Sequence, residues 1–399
     1  MFSVAQAQQR MIDSVSCVCD EEVVKLDAAL GRVSSADIVS PLFVPPTDNS
    51  AMDGFAINTD DVDEKPLPLS QRIPAGVSPE KLMAGTAARI FTGAVIPEGA
   101  NAVVIQENCD YDDQSVLINS AVNIGDNIRP KGQDIVVGAT VVEKGKSLTA
   151  IDLGLIASVG QPEVAVRKPL RVAIFSTGDE LIEPGETLQE GQIYNSNRVA
   201  LMNLCRQLGY QPIDCGIVED SFAATKMALQ EAAANADIVI SSGGVSVGEE
   251  DHVKPAVEAL GSLDLWKVQM KPGKPVAFGK IKATPFLGLP GNPVSSYIVF
   301  QLLAVPLLAA LQGQVIPSVT AYPINAAFSK RKVSREEYIR VRLTKSAIGR
   351  LNVERFSNLS SGVLSSLAWA DGLVKQKIGE EIEQGKPVEF LPFSKGLLG

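Results

Sequence analysis

The sequence predicts a multidomain α/β plus β protein. It reads as a β-rich part, then an α/β unit with a mostly parallel sheet, then a small β domain. Three observations carry this. The chain has 399 residues, which at roughly 150 residues per domain suggests two to four domains. The composition changes at about residue 170, where short apolar runs (RVAIF, ADIVIS, TPFLGLP) begin to alternate with segments of helical period. Such alternation means βαβ units and a sheet covered on both faces. Beyond about residue 316 only strand-like runs recur.

The elements follow in order. Residues from about 2 to 32 read as helical. Residues 36 to 46 read as a short extended run ending at Pro45-Pro46, which cannot continue a central strand. From about 47 to 140, short runs such as AARIF, NAVVIQE and SVLIN are separated by Gly, Asp, Asn and Pro. Residues 140 to 168 hold VVEKGKSL, a helical TAIDLGLIASVG and VAVRKPL. In the α/β unit, NRVALMNLCRQLG and FAATKMALQEAAANA have helical period. Tyr297 to Leu311 is the most apolar stretch. It contains Gln301 and Pro306, falls short of a ~20-residue span and reads as a buried core helix. The last strands are VTAYPINAAF, EYIRVRLTK, LNVERF, GLVKQKIG and KPVEFLPF.

Composition narrows the chemistry. Thirty-six basic and 46 acidic residues leave a net charge of −10, against a general nucleic-acid binder. The single histidine, His252, weakens triad, His-zinc and His-base mechanisms. The five cysteines match no zinc or C-x-x-C spacing and read as free thiols. The N-terminus lacks a basic region followed by an apolar one. A soluble, cytoplasmic protein is expected.

Several loops could carry chemistry. In Ser241-Ser242-Gly243-Gly244-Val245-Ser246-Val247-Gly248, three glycines allow close backbone approach and amide contact to an anion. Glu249, Glu250 and Asp251 follow, either as helix caps or as ligands of a hard cation that bridges them to phosphate. Ser176-Thr177-Gly178-Asp179-Glu180 and Pro290-Gly291-Asn292-Pro293 should share that sheet edge, where α/β proteins bind ligands. The lysines of Lys271-Pro272-Gly273-Lys274-Pro275, with Lys267, are either solvated or offset an acidic lining. Thr47 to Ala56, Arg89 to Gly93 and Asn127 to Asp134 are open between turn and site. His252 reads as a helix-end residue. These features suggest a cation-assisted enzyme acting on a phosphorylated or nucleotide-bearing small molecule.

DNSAMDGFA, RIFTGA, FSTGDEL, GQIYNSN, SSGGVSVGEEDHVK, KPGKP and GLPGNPVSS occur in that order. Together they resemble the MoeA family of molybdopterin molybdenumtransferases, related to the gephyrin E domain. The resemblance runs through nearly the whole chain and is loose at the C-terminal end. It implies an elongated, discontinuous N-terminal domain (1–42 and 140–168) and a β-rich inserted domain (43–139). It further implies a central three-layer α/β/α molybdopterin-binding domain (169–315) and a C-terminal β domain (316–399).

The implied activity is Mg²⁺-dependent insertion of molybdate into adenylylated molybdopterin, releasing AMP and giving molybdenum cofactor. The implied assembly is a homodimer with each cleft between one subunit's α/β domain and the other's inserted domain. Contacts with the molybdopterin adenylyltransferase and with cofactor-accepting enzymes are also expected. By motif, Asp179, Glu180 and Asp251 are implied as substrate- and metal-handling carboxylates, with Glu180 and Asp251 on Mg²⁺. Gly243, Gly244 and Ser246 would cradle phosphate. Lys267, Lys271 and Lys274 would meet anionic oxygens, and Pro290 and Pro293 would shape the wall. Asp53, Thr92 and Asp134 match functional positions on the inserted domain, and Asp220 a further carboxylate. Arg340 and Ser361 would contact molybdate or the terminal dithiolene. Phe55 and His252 stand where the family commonly has Tyr. Two alternatives are a molybdopterin adenylyltransferase, which would not need the N-terminal half, and a non-catalytic gephyrin-like scaffold, which would not need the acidic loops.

Overall fold

The computed structural model describes residues 1–245, 252–316, 320–346 and 349–393. The first helix, Val4–Asp13, opens with a capping box in which the Gln6 N–H donates to Ser3 Oγ and the Ser3 N–H to Gln6 Oε1. It buries Val4, Ala7 and Met11, spaced along one face, in the core of the central sheet. The helix expected to reach residue 32 stops there. Glu21–Lys25 is instead a strand, antiparallel to Glu163–Arg167, as suits the β-branched pair Val23-Val24. Ile38–Val39 likewise pairs with Thr140–Val142. One small core (Ala29, Ile38, Val142, Leu148, Ile156, Val164, Val166) draws on both segments that flank the long β-rich stretch.

That stretch forms a six-stranded sheet in the order Ala102–Ile105, Gly54–Ile57, Ala87–Ile90, Leu67–Ile73, Ser115–Ile118, Cys109–Tyr111. Gly54 is obligatory: a Cβ there would lie 1.9 Å from the Val104 carbonyl oxygen.

The central sheet runs Gln211–Val218, Arg171–Thr177, Ile238–Ser242, Thr284–Leu289, Pro275–Ile281, Gly261–Lys267. Its first four strands are parallel and its last two ladders antiparallel. The antiparallel edge has a local cause. Only Lys282 and Ala283 separate the paired Ile281 and Thr284, too short for the crossover that parallel strands need. Alternate residues of Arg171–Thr177 enter different cores. Val172 and Ile174 join the first helix, Ser196–Gln207 and the apolar helix. Ala173 and Phe175 join Phe222–Asn235 and Val253–Leu260.

The apolar helix extends from Pro293 to Gln312, beyond the stretch read from the sequence. Its 20 residues, whose 18-residue apolar window has mean hydropathy 2.0, are long and apolar enough to cross a membrane, but 72% of that window is buried inside the protein. Its middle turn, Phe300–Ala304, is a π-helix. Pro306 follows, with no N–H for the Leu302 carbonyl four residues back. Gln8 Nε2 donates to that carbonyl at 2.5 Å.

The C-terminal strands close into a barrel. Glu336–Lys345 pairs with both Leu351–Arg355 and Gly372–Gln376, while Tyr322–Ala326 and Pro387–Pro392 complete the ring. Closure leaves no free edge within the ring. Met270–Lys271 lies alongside Glu336 and Glu337, so the KPGKP segment joins the central unit to the barrel.

Candidate active site

A cleft of about 730 Å³ opens at the carboxyl ends of Arg171–Thr177, Ile238–Ser242 and Thr284–Leu289. All three strand-end loops contribute, with Gly362 and Leu364 from the barrel side. Gly243 and Gly244, at φ +95° and +67°, turn the first loop under the cleft. A Cβ at Gly243 would lie 2.8 Å from the Thr177 carbonyl oxygen, and one at Gly244 2.2 Å from Val253 Cγ2. Backbone therefore forms the floor here, close to any ligand. The Gly243 N–H itself donates to the Leu289 carbonyl at 3.0 Å.

The loops are tied to one another. Asn197 Nδ2 donates to Ser242 Oγ at 3.0 Å and to the Gly291 carbonyl at 2.7 Å, joining the first and third loops. Thr177 Oγ1 donates to Asp220 Oδ1 at 3.3 Å. Arg198, 8% exposed, forms ion pairs with Glu183 and Asp214 and so anchors the chain just past Glu180. Asn195 caps the helix that carries Arg198. Its Oδ1 accepts from Ser176 Oγ and from the Arg198 N–H. The GQIYNSN motif marks this stretch, but the motif alone assigns its asparagines no role. Asn195, immediately before a helical period, is signalled by that position; Asn197, inside the helix, is not.

The expected site residues divide by location. Glu180, Asp220, Gly243, Gly244, Pro290 and Pro293 line the cleft. Asp179 is exposed and does not. Ser246 and Asp251 lie outside the described residues. Lys267 is half-buried, and Lys271 and Lys274 are exposed. None of these three lines the cleft, although Pro275, beside Lys274, does. Asp53 and Thr92 are bonded to each other on the inserted sheet. Asp134 donates its N–H to the Val44 carbonyl, and none of this trio lines the cleft of its own chain.

Arg340 and Ser361 take different parts. Arg340 is 1% exposed. Nε donates to Ser366 Oγ, Nη1 to the Leu359 carbonyl, and Nη2 to the carbonyls of Asn358 and Ser360. Three of its bonds thus organise the loop leading to Ser361, and the fourth reaches the short helix beyond it. Burial pulls its pKa below the ordinary arginine value, against the opposing pull of Glu337. The carbonyl of half-buried Ser361 accepts from the Val294 N–H, docking this loop on the start of the apolar helix.

Phe55 is fully buried, with the Arg89 guanidinium 4.8 Å from its ring centroid. His252 sits at the N-cap of Val253–Leu260. All five cysteines are free, and burial pushes the Cys19 and Cys205 thiols up to about 12 and Cys109 to about 11. Among the described residues no group of three or more His, Cys, Asp or Glu gathers for a metal. The cleft offers the two carboxylates of Glu180 and Asp220. That set is poor for zinc and sufficient for Mg²⁺, which usually keeps waters and takes one or two carboxylates plus substrate phosphates.

Comparison with known proteins agrees in all three regions. Residues 2–160 match the MoeA N-terminal region (domain I and II), 173–310 the probable molybdopterin binding domain, and 325–393 the MoeA C-terminal region (domain IV). A molybdopterin molybdenumtransferase of Haemophilus influenzae is 42% identical over 79% of this chain and 78% of its own. One from Nostoc sp. is 41% identical over 74% and 70%. The crystal structure of a molybdopterin biosynthesis MoeA protein from Pyrococcus horikoshii superposes with a TM-score of 0.85 at 28% identity, covering 98% of this chain and all of that one.

Proposed function

The chain belongs to the MoeA family, and from that premise we propose that it inserts molybdate into adenylylated molybdopterin and releases AMP. Its class is molybdopterin molybdenumtransferase, in molybdenum-cofactor biosynthesis. The observation that carries the finer reading is the cleft. A glycine floor, a stiff Pro-Gly-Asn-Pro wall and two carboxylates line a space of about 730 Å³. Such a lining suits a phosphate-linked substrate that needs a cation between its oxygens and the protein's acids.

In this reading the amide at Gly244 binds phosphate oxygens, while the Gly243 N–H, donated to the Leu289 carbonyl at 3.0 Å, holds the loop in place. Glu180, with Asp251 from the acidic run, would hold Mg²⁺, and Asp220 is a further carboxylate at the same wall. When bound, the cation offsets the repulsion between phosphate and molybdate oxygens and stabilises leaving AMP. Asn197 keeps the first and third loops in register, and Arg198 fixes the segment past Glu180. Lys271 and Lys274 would meet anionic oxygens. Arg340 and Ser361 do not line the cleft themselves; Arg340 acts through the loop it holds, which brings Gly362 and Leu364 to the cleft.

The position of Asp53, Thr92 and Asp134 away from their own chain's cleft supports a homodimer in which they serve the partner's. We place the reaction in the cytoplasm, with the adenylyltransferase as supplier and cofactor-accepting enzymes as receivers. The test is incubation with adenylylated molybdopterin, Mg²⁺ and molybdate while AMP is followed. Molybdate-dependent AMP release is expected. ATP consumption with molybdopterin and no such release would reject the reading.

A further inference from the structure

Arg89 begins the stretch to Gly93 that sequence leaves open between turn and site. It is half-buried on the strand Ala87–Ile90, directly opposite Phe55 in the register of the inserted sheet. Its guanidinium lies 4.8 Å from the Phe55 ring centroid, 5.0 Å from that of Phe91 and 5.3 Å from that of Tyr111. A flat, weakly hydrated cation is well suited to such a nest of rings. Arg72, 4.6 Å from the Phe91 centroid, is a second cation on this face.

Held by the rings, the guanidinium aims two donors at the chain around Asp53. Nη1 donates to the Gly54 carbonyl at 3.1 Å and Nη2 to Gln106 Oε1 at 2.5 Å. The Gln106 N–H in turn donates to the Asp53 carbonyl at 3.2 Å. One linked pair, Arg89 and Gln106, thus fixes the carbonyls of Asp53 and Gly54. Gln106 Nε2 donates to Glu107 Oε1 at 3.2 Å, which turns the amide oxygen toward Arg89. The Asp53 carboxylate is held separately by Thr92, three residues past Arg89. Covering Phe55 would use only the face of the guanidinium. Its edge donors are what reach the Asp53 segment. Asp53 itself is exposed, so both its backbone and its side chain are set in place on a surface that faces outward. Such a carboxylate is pre-organised to meet a group brought to it.

We propose that Arg89 is a positioning residue. With Gln106 it holds the Asp53–Gly54 backbone, so that the Asp53 carboxylate enters the partner subunit's cleft in one orientation. This rests on the reading that Asp53 serves that cleft.

The experiment follows AMP release from adenylylated molybdopterin with Mg²⁺ and molybdate. It compares wild type, Arg89→Lys, Gln106→Leu, Asp53→Asn and the Arg89→Lys, Asp53→Asn double variant. Hydrogen exchange at the Thr92 amide is measured by NMR on the same proteins without substrate. Lysine keeps the charge but lacks the planar fork of donors, so Arg89→Lys should fold. Its kcat should fall on the order of tenfold with KM little changed. Gln106→Leu leaves Arg89 and its rings in place and should lower kcat by less. In the Asp53→Asn background Arg89→Lys should change kcat by no more than about twofold, because the group it positions is already lost. Thr92 exchange should quicken in Arg89→Lys and Gln106→Leu. An equal fall of kcat in both Asp53 backgrounds would show that Arg89 acts on the fold at large, and would overturn the proposal. Wild-type kcat and wild-type Thr92 exchange in both single variants would overturn it too. If Asp53→Asn released AMP at the wild-type rate, the reading of Asp53 beneath the proposal would fail, and Thr92 exchange would still decide whether Arg89 holds Asp53.

Discussion

Thr92 donates both its backbone N–H and its hydroxyl to one carboxylate oxygen of Asp53, each at 2.8 Å. The backbone bond first and the hydroxyl second hold the Asp53 carboxyl below its usual pKa, with Arg89 adding a smaller pull. A carboxylate depressed in the folded state contributes stability above its unfolded pKa and loses it as pH falls through the folded value. Thr92→Val removes the hydroxyl and keeps the N–H. The Asp53 midpoint should therefore rise part of the way toward ~3.9, read by carboxyl NMR titration. A midpoint that does not move would mean that the hydroxyl bond is absent in solution.

The floor glycines give a second prediction. Gly244→Ala combines a left-handed φ of +67° with a Cβ 2.2 Å from Val253 Cγ2. The strain alone should cost about 1–2 kcal/mol, and displacement of Val253 should add to it. Gly362→Ala, on the opposite wall, meets only Ser360 Oγ at 4.0 Å and should be near neutral. Urea unfolding of both variants decides it. Equal stabilities would show that the loop can yield without strain.

Buried Arg340 is expected to behave as a loop anchor. Arg340→Met strands the carbonyls of Asn358, Leu359 and Ser360 and should cost about 3 kcal/mol. Lysine should not restore it, because one ammonium cannot reproduce a planar fork of donors. Hydrogen exchange across 358–364 should quicken in both variants. Wild-type exchange rates in Arg340→Met would refute the anchoring role.

What the sequence revealed and what it hid follow from range. The runs RVAIF, ADIVIS and TPFLGLP show themselves as strands because each is apolar and ends in a turn, and the loops after them fall at one sheet edge. Glu21–Lys25 was concealed because its partner lies about 140 residues on, at Glu163–Arg167. Barrel closure was concealed too, since it depends on Glu336–Lys345 finding a partner on each side. Asn197 had no outstanding local pattern; its importance comes from reaching Ser242 and Gly291 at once. Arg340 looked like an anion ligand by motif, and only the carbonyls around it show how its donors are used.

Gln8 and Pro306 should be energetically coupled. Gln8 Nε2 serves the Leu302 carbonyl, which Pro306 cannot serve. Gln8→Ala alone should cost about 1 kcal/mol. In a Pro306→Ala background the new N–H can take that carbonyl, so the same change should cost less, with a coupling of about 0.5 kcal/mol or more. Strict additivity in a double-mutant cycle would show that the Gln8 bond does not compensate for the proline.

The last prediction separates two adjacent acids. Glu180 lines the cleft and Asp179 does not, although the sequence motif offers both. A Cβ at Gly178 would lie 2.6 Å from Glu180 Oε2, so the glycine leaves room for that carboxylate beside the loop. Glu180→Gln keeps the shape and removes the charge. If Glu180 holds Mg²⁺, the concentration needed for half-maximal AMP release should rise about 10- to 100-fold, with unfolding by heat little changed. Asp179→Asn, altering an exposed charge outside the cleft, should leave the Mg²⁺ requirement within about twofold of wild type, since solvent screens it. If Asp179→Asn raised the requirement and Glu180→Gln did not, the metal role would pass to Asp179.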